Sequence, residues 1–522
     1  MSDDCRHVES QDGHPAPGIL PRQGAGPERT HARRIVVVGN GMTGNRFAQE
    51  VVRRDPRGER VRVVLVGAEP GPAYNRVLLP GLLDGTYTPG DLVLPEPAGA
   101  VVVRRGETAV SLNPDARFVT LDTGERLGYD ELVLATGARA ELPPLAGLRA
   151  PSGGPGEGVS TLRDMADCQR LRTWVHPGVP MVVLGGGVLG LETARALATA
   201  GARVSVVEAA PWIMCRQIDS PAADILTRRY LDLGVRVYAD SPAARWLPGT
   251  GLELGDGRVL PGDAVVVTAG VRPDTELAQN AGVATDGGVL VDDRLATSKA
   301  RVHAIGDCSW PPGGGTGLVQ PGYRQAEVLA DLLTGADPAA RYTGTRPVTR
   351  LKAAGIELTA MGENVAEEDT GTQAEPTTLH AAHPGDNRVE TVTVSDAARG
   401  RYAKLTVCGD RLTGAVLLGF PRSAPEVARL FEEEESVPTD RLALLQDPPT
   451  ASAAPAPEPF DAVVCRCNAV TRSDIEQAWF DGARTHAAIA ETTRATTGCG
   501  GCTRDIETLL QGLAGQHREP VS

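Results

Sequence analysis

Short apolar runs closed by glycine punctuate this chain. Arg33-Arg34-Ile35-Val36-Val37-Val38 has the length of a strand and no polar alternation in its second half, the pattern of a parallel strand buried on both faces. GNGMTG follows, then a helical stretch to about Arg54 and a second strand, Val61 to Val66, that closes near Glu69. The same grammar returns at Met181 to Leu184, with GGGVLG, a helix through Ala200, and a strand from Arg203 to Val207 ending at Glu208. The two glycine turns, Gly39 and Gly185, stand 146 residues apart, which predicts two nucleotide-binding folds rather than a solenoid array.

Between and after them, YDELVLATGAR (129–139) and GDAVVVTAGVRPD (262–274) each read as an apolar strand turning through Thr, Ala and Gly. RVHAIGDC (301–308) comes next, then a Gly-rich loop and a helix from about Gly322 to Leu333. Residues 345–420 alternate as short strands and end in RYAKLTVCGDRLTGAVLLG (401–419), a hairpin pair. An acidic helix end, Glu432 to Glu435, follows. DPPTASAAPAPEPF (447–460) is a Pro/Ala linker, reaching from ~20 Å as a coil to ~43 Å as polyproline. The last stretch is a small helical module, in which Ser473-x-x-Glu476 reads as a capping box, Gly482 as a helix stop, and Cys502 as the approach to another helix.

Composition narrows the classes. At 522 residues, with 41% hydrophobic and 23% charged positions, the chain is a multidomain globular protein, neither collagen-like nor disordered throughout. Its formal charge of −14 argues against nonspecific nucleic-acid binding, which needs a basic surface. Lysine stands only at 299, 352 and 404 amid abundant arginine, so an isolated arginine is weak support for phosphate recognition. No run approaches the roughly 18 apolar residues of a membrane span, and the first thirty residues lack a signal-peptide core. The expectation is a cytoplasmic protein with a floppy tail over 1–32. Its nine cysteines (5, 168, 215, 308, 408, 465, 467, 499, 502) do not form a secreted disulfide framework, but the last four cluster.

The glycine turns carry specific chemistry. In Gly39-x-Gly41-x-x-Gly44 the first Gly permits a tight turn, the second lets the backbone approach a pyrophosphate, and the third lets helix pack on strand. The following helix offers unpaired N–H groups and the positive end of its dipole to the diphosphate. Glu69 stands where a carboxylate accepts from ribose hydroxyls. Gly185-x-Gly187-x-x-Gly190 repeats the pattern with Glu208, whose charge repels a 2′-phosphate and favours NADH over NADPH.

GNGMTG, LATGAR, GGGVLG and AIGDC, in that order, resemble the two-dinucleotide flavin reductases. The resemblance implies FAD in the first site, against Met42, Ala135, Thr136, Gly137 and Gly306, and NAD(P)H in the second, with Gly270 in the matching TAG turn. By the same likeness Asp307 bonds the ribityl chain, the helix after Gly322 points its N-terminus at the flavin ring, and Glu192 in GLETA lies near the nicotinamide. The competing reading of Glu192 is a solvent-facing helix residue. Relatives that reduce disulfides or peroxides carry a redox cysteine between the first glycine turn and the segment after the second strand, yet residues 42–100 contain none. PAYNRVLLP (72–80) stands there instead, with Arg76 either a flavin-side cation or a plain surface arginine.

Cys465-x-Cys467 and Cys499-x-x-Cys502 supply four thiolates, enough for a zinc site or a 2Fe-2S cluster. The CxC…CxxC spacing before a helix resembles the bacterioferritin-associated-ferredoxin-like domain, which implies 2Fe-2S, with structural zinc as the competing reading. GNGMTGNRF, YNRVLLP, APWIMCRQID (210–219), VVVTAGVRPDTELA and TRLKAAGIEL (349–358) together resemble the N-terminal half of the assimilatory NAD(P)H nitrite reductase large subunit and the related nitrate reductase electron-transfer subunits. Nitrite reductase large subunits continue into a sirohaem and 4Fe-4S portion that needs four more clustered cysteines, and this sequence offers none. The expectation is therefore a chain that does not reduce nitrite by itself.

The implied fold is α/β: two Rossmann-like domains, one for FAD and one for NAD, a small α+β domain and a helical 2Fe-2S domain. The expected divisions are a tail at 1–32, FAD-binding parts at 33–150 and 291–338, an NAD-binding domain at 151–290, an α+β interface domain at 339–446, the linker at 447–460 and the cluster domain at 461–515. The implied activity passes electrons from NADH through FAD and 2Fe-2S to a protein acceptor, foremost the molybdenum catalytic subunit of assimilatory nitrate reductase. Nucleic-acid and membrane partners are not expected, and a homodimer is admissible. Other readings share parts of this set: a rubredoxin or ferredoxin reductase, a reductase component for a separate sirohaem nitrite reductase, an amino-acid or opine oxidase subunit, and a non-enzymatic iron-storage or redox-sensing protein.

Overall fold

In a computed structural model the chain is described over residues 32–353, 355–362, 389–446, 463–465, 468, 470–497 and 501–516. Residues 1–31 of the expected tail (1–32) and the whole Pro/Ala linker lie outside these residues.

The first apolar run is the centre of a five-stranded parallel sheet, in the order Val302–Ala304, Glu131–Leu134, Arg33–Val38, Val61–Gly67, Val101–Arg105. Ile35, Val36 and Val37 are wholly buried in a core to which the helix after the first glycine turn and the three-stranded antiparallel sheet Ala109–Asn113, Phe118–Leu121 and Arg126–Gly128 both contribute, while Arg33 and Arg34 at the strand's start stay exposed. The strand at 302–304 closes a sheet begun at Arg33, so the chain leaves this layer, builds a second one and returns. That second sheet is also parallel: Arg236–Tyr238, Arg203–Val207, Pro180–Leu184, Ala264–Val267, Val159–Thr161. In both sheets the glycine turn follows the central strand, and the nucleotide helices are Met42–Arg54 and Val188–Thr199.

LATGAR and TAGVRPD meet. Ala138–Ala140 pairs antiparallel with Val271–Pro273, so the two turns are tied at the junction of the layers. The helix expected from Gly322 spans Val319–Thr334, beginning three residues earlier and ending at Gly335, whose φ of +71° suits a glycine C-cap.

Five strands make an antiparallel sheet in the order Val348–Ala353, Ile356–Gly362, Arg411–Leu418, Arg401–Cys408, Val389–Asp396, and the predicted hairpin is its 401–418 pair. Helix Ala424–Glu432 lays Val427, Leu430 and Phe431 on one face, against Ala403 and Leu405. The other face, through Leu351, Ile356 and Leu358, shares a core with Leu191 and Leu197 of the second nucleotide helix.

The last module packs helices Arg472–Phe480, His486–Thr493 and Thr503–Gln516 around Ile475, Trp479, Ile489 and Ile506. Its first helix corrects the sequence reading. The cap is Thr471 with Asp474, each side chain accepting from the other's backbone N–H (3.1 and 2.8 Å), not Ser473 with Glu476. Thr471 has the extended backbone of an N-cap, whereas Ser473 lies inside the first turn and Glu476 takes the Arg472 guanidinium at 2.7 Å.

Candidate functional site

The two glycine turns are nearly superimposable in their steric logic. Gly39 and Gly185 both have φ of +119°, and a Cβ on them would stand 2.1 Å from the Ala135 carbonyl oxygen and 2.7 Å from that of Thr268. A Cβ on Gly44 or Gly190 would lie 1.9 Å from the carbonyl oxygen of the first glycine in its own turn. By contrast, nothing lies within 4 Å of where a Cβ of Gly41 or Gly187 would point. Each of these middle glycines is the N-cap of its helix and no side chain caps it, so the first-turn amides face open space. A clear cradle of uncapped amides fits a dinucleotide pyrophosphate. Met42, the first residue of that helix after Gly41, is buried with Ala73, Leu94 and Tyr323.

The acidic strand ends differ. Glu69 accepts from the Tyr74 hydroxyl (2.8 Å) and pairs with Arg76, whose guanidinium lies 4.8 Å above the Tyr74 ring and donates to the Arg163 carbonyl at 3.1 Å. Arg76 is thus held beside Glu69 rather than free on the surface. Glu208 instead spends both carboxylate oxygens on backbone, accepting from Gly186 N at 2.7 Å and Ala210 N at 2.8 Å. It fastens the very turn it serves.

At the junction, Gly137 (φ +74°) and Gly270 (φ +124°) have open space on their Cβ side, and the Thr136 hydroxyl donates to the Asp274 carbonyl at 2.6 Å. Ala135 lies buried against the first turn. Gly306 and Gly322 both crowd Thr43, 2.9 and 2.8 Å from its hydroxyl to a hypothetical Cβ, so glycine at both places lets the returning helix approach the first nucleotide helix. Asp307 takes the Arg163 guanidinium at 2.8 Å, and Gln325 accepts from Gly306 N at 2.7 Å. Neither Arg163 nor Gln325 was legible beforehand, since neither belongs to a glycine motif and arginine is common here. Glu192 is 7% exposed, which removes the solvent-facing reading; Leu191, Thr193 and Ala194 beside it are buried too, so the helix is enclosed on all sides at this point.

Cys465 and Cys502 are buried together in the core of the last module. Cys467 and Cys499 lie outside the described residues, as does Cys5. Cys168 and Cys308 are buried thiols whose burial pushes them up, Cys168 to about 12, which makes them inert as nucleophiles. Cys215 and Cys408 are half-buried single residues. No described helix is long and apolar enough to cross a membrane.

The cysteine module docks on the first nucleotide helix. Arg46 donates to the Asn468 side-chain oxygen at 2.8 Å, Tyr323 OH and Asn75 Nδ2 donate to the Thr497 carbonyl at 3.3 and 3.1 Å, and Arg494 pairs with Glu50 at 2.5 Å. Glu50 is wholly buried and also meets Arg46, Arg53 and Arg54. Burial by itself would raise its pKa, but Arg46, Arg494 and Arg54 outweigh that and hold the carboxyl at about 2. A cleft of about 670 Å³ runs along this contact, between Gln49, Arg53 and Pro97 on one side and Asp474, Gln477 and Arg494 on the other.

With this geometry the chain belongs to the pyridine nucleotide-disulphide oxidoreductase family, whose model matches residues 33–328. Residues 463–512 match the BFD-like [2Fe-2S] binding domain, so this oxidoreductase has FAD, NAD(P)H and a [2Fe-2S] cluster as its cofactors. It is 30% identical to the assimilatory nitrate reductase electron transfer subunit of Bacillus subtilis, across 94% of this chain and 61% of that one. It is 29% identical to nitrite reductase [NAD(P)H] of the same organism, across 92% and 58%. The chain thus spans about three fifths of the length of these curated relatives. A ferredoxin reductase from Rhodopseudomonas palustris, 26% identical, has the same fold at a TM-score of 0.64, covering 78% of this chain and 96% of its own.

Proposed function

We propose that this chain is the electron-input component of a nitrate-assimilating reductase, taking electrons from NADH and delivering them to a protein acceptor, foremost the catalytic subunit of assimilatory nitrate reductase. The observation that carries this reading is the docking of the cysteine module directly on the helix of the first dinucleotide fold. When bound, FAD would supply the exchange between a hydride and single electrons and the [2Fe-2S] cluster one-electron transfer, for a net conversion of NADH to NAD⁺, one proton and two electrons for the acceptor.

The residues divide the work. Gly39, Gly41 and Gly44 cradle the FAD diphosphate on the amides that follow Gly41, and Glu69 receives ribose hydroxyls. Ala135, Thr136, Gly137, Gly306 and Asp307 line the remainder, with Arg163 fixing the carboxylate of Asp307 and Arg76 that of Glu69. Gly185, Gly187 and Gly190 hold the nicotinamide dinucleotide, Glu208 selects NADH against NADPH by charge, and Gly270 and Glu192 border the second cofactor. Cys465, Cys467, Cys499 and Cys502 hold the cluster. The division into FAD-binding (33–150 and 291–338), NAD-binding (151–290), interface (339–446) and cluster (461–515) domains follows the same reading, with a cytoplasmic location. The names of the Bacillus subtilis relatives support the nitrate and nitrite assignment.

The test is reconstitution. Purified chain, NADH, nitrate and a molybdenum nitrate reductase catalytic subunit should give nitrite only when all four are present. NADH-driven reduction of a ferredoxin or rubredoxin at a higher kcat/KM than that subunit would favour the general ferredoxin-reductase reading.

A further inference from the structure

One buried side chain spans the contact between the cysteine module and the first nucleotide fold. Asn468 is 5% exposed and follows Cys465 by three positions. The two hydrogens of its amide nitrogen are shared among three acceptors, the Arg494 carbonyl (2.6 Å), the Thr497 hydroxyl (3.2 Å) and Cys465 Sγ (3.7 Å). Its side-chain oxygen accepts from Arg46 at 2.8 Å, across the contact. Arg46 is equally buried, its charge met by Glu50 at 3.2 Å and Glu327 at 2.7 Å, and it lies 5.1 Å from the ring centroid of Tyr323, which packs in one apolar cluster with Met42 from the helix of Arg46.

We propose that Asn468 is a positioning residue for electron transfer, one that ties the cluster ligand Cys465 to the flavin-side helix through Arg46 and at the same time sets the cluster's potential. The inference rests on the [2Fe-2S] reading of the four cysteines. An electron passing from reduced flavin to oxidised cluster adds one negative charge shared by its sulfurs. An N–H donor on a ligand sulfur stabilises that reduced state and raises the potential. Arg46 takes the oxygen end of the same amide, so the side chain that tunes the sulfur is also the one that seats the module. Buried amides have both ends satisfied here, which holds the side chain in one orientation. Aspartate in its place would keep the bond from Arg46 and set an acceptor against the sulfur. Methionine at 46 would keep the bond to sulfur and lose the tether.

These two substitutions separate the roles in the full-length holoprotein. Asn468→Asp should lower the midpoint potential of the cluster in a redox titration followed by EPR, with iron content, FAD content and NADH-to-flavin reduction unchanged. Arg46→Met should leave that potential where it is and slow flavin-to-cluster transfer at least tenfold in stopped flow. If Asn468→Asp prevents cluster assembly, the Arg46→Met pair of readouts decides alone. An unshifted potential in Asn468→Asp, or wild-type transfer in Arg46→Met, overturns the proposal. A wild-type protein that holds zinc, or gives no [2Fe-2S] signal on reduction, overturns the cluster reading beneath it instead.

Discussion

The two nucleotide folds match position for position across a spacing of 146 residues, and their differences lie where the helices face. Gly39, Gly41 and Gly44 have closely matching steric surroundings to Gly185, Gly187 and Gly190, so the two turns present the same open cradle. Two turns of helix further on, the likeness ends. The first helix carries Arg46 and Glu50; the second carries Glu192 and Ala196 at the equivalent places. Ala196 packs into the shared core with the antiparallel sheet, a face closed by apolar contact. Glu50 holds four arginines, one of them Arg494 of the cysteine module. On the proposed reading, the same fold serves as an inlet where its helix is buried in the body and as an outlet where its helix presents charge to a docked redox module.

The strongest way to break this comparison is to spoil one cradle and leave the other. Gly44→Val should give a protein with no bound FAD, and Gly190→Val one that keeps FAD but is not bleached by NADH, since both side chains would sit on a carbonyl that cannot move aside. Flavin content and an anaerobic absorbance trace read both. If either variant lost both functions, the folds would not be separable.

Removing the outlet's buried carboxylate comes next. Glu50→Gln should cost about 3 kcal/mol at neutral pH, because it removes the charge of a buried carboxylate that four arginines share, read as the shift of the first urea transition. The sign follows from the depressed pKa. Stability from Glu50 is fully present above its unfolded value of 4.5 and is lost as pH falls through about 2, so the gap between variant and parent should close over that window. A gap that persists unchanged at the acid end would refute the assignment.

The smallest effect belongs to the inlet's strand end. Glu208→Ala should shift the ratio of kcat/KM for NADPH over NADH upward by about tenfold, by removing the charge that opposes a 2′-phosphate. It should also loosen the glycine turn, since Gly186 N and Ala210 N lose their acceptor. An equivalent change at Glu69 should leave the nicotinamide preference untouched.

What could be read from the sequence was what acts locally. The glycine turns are steric necessities written within six residues, and the strands Arg33–Val38 and Arg203–Val207 appear where their apolar runs stand. The hairpin at 401–418 was equally plain from its turn. What escaped depends on contacts made across the chain. Arg46 and Asn468 are 422 residues apart, and Arg163 reaches Asp307 over 144. No local pattern marks such partners. The misplaced cap at Ser473 has a different origin: two overlapping Ser/Thr-x-x-acid patterns compete there, and the backbone selects Thr471 because its own geometry is extended.

The most direct test of an inlet and an outlet on one chain is anaerobic titration of the holoprotein with NADH, watching flavin and iron-sulfur absorbance together. The account predicts that NADH bleaches the flavin and that the cluster bands then fall without any added mediator. A flavin that stays oxidised, or one that bleaches over a cluster that never follows, would contradict it.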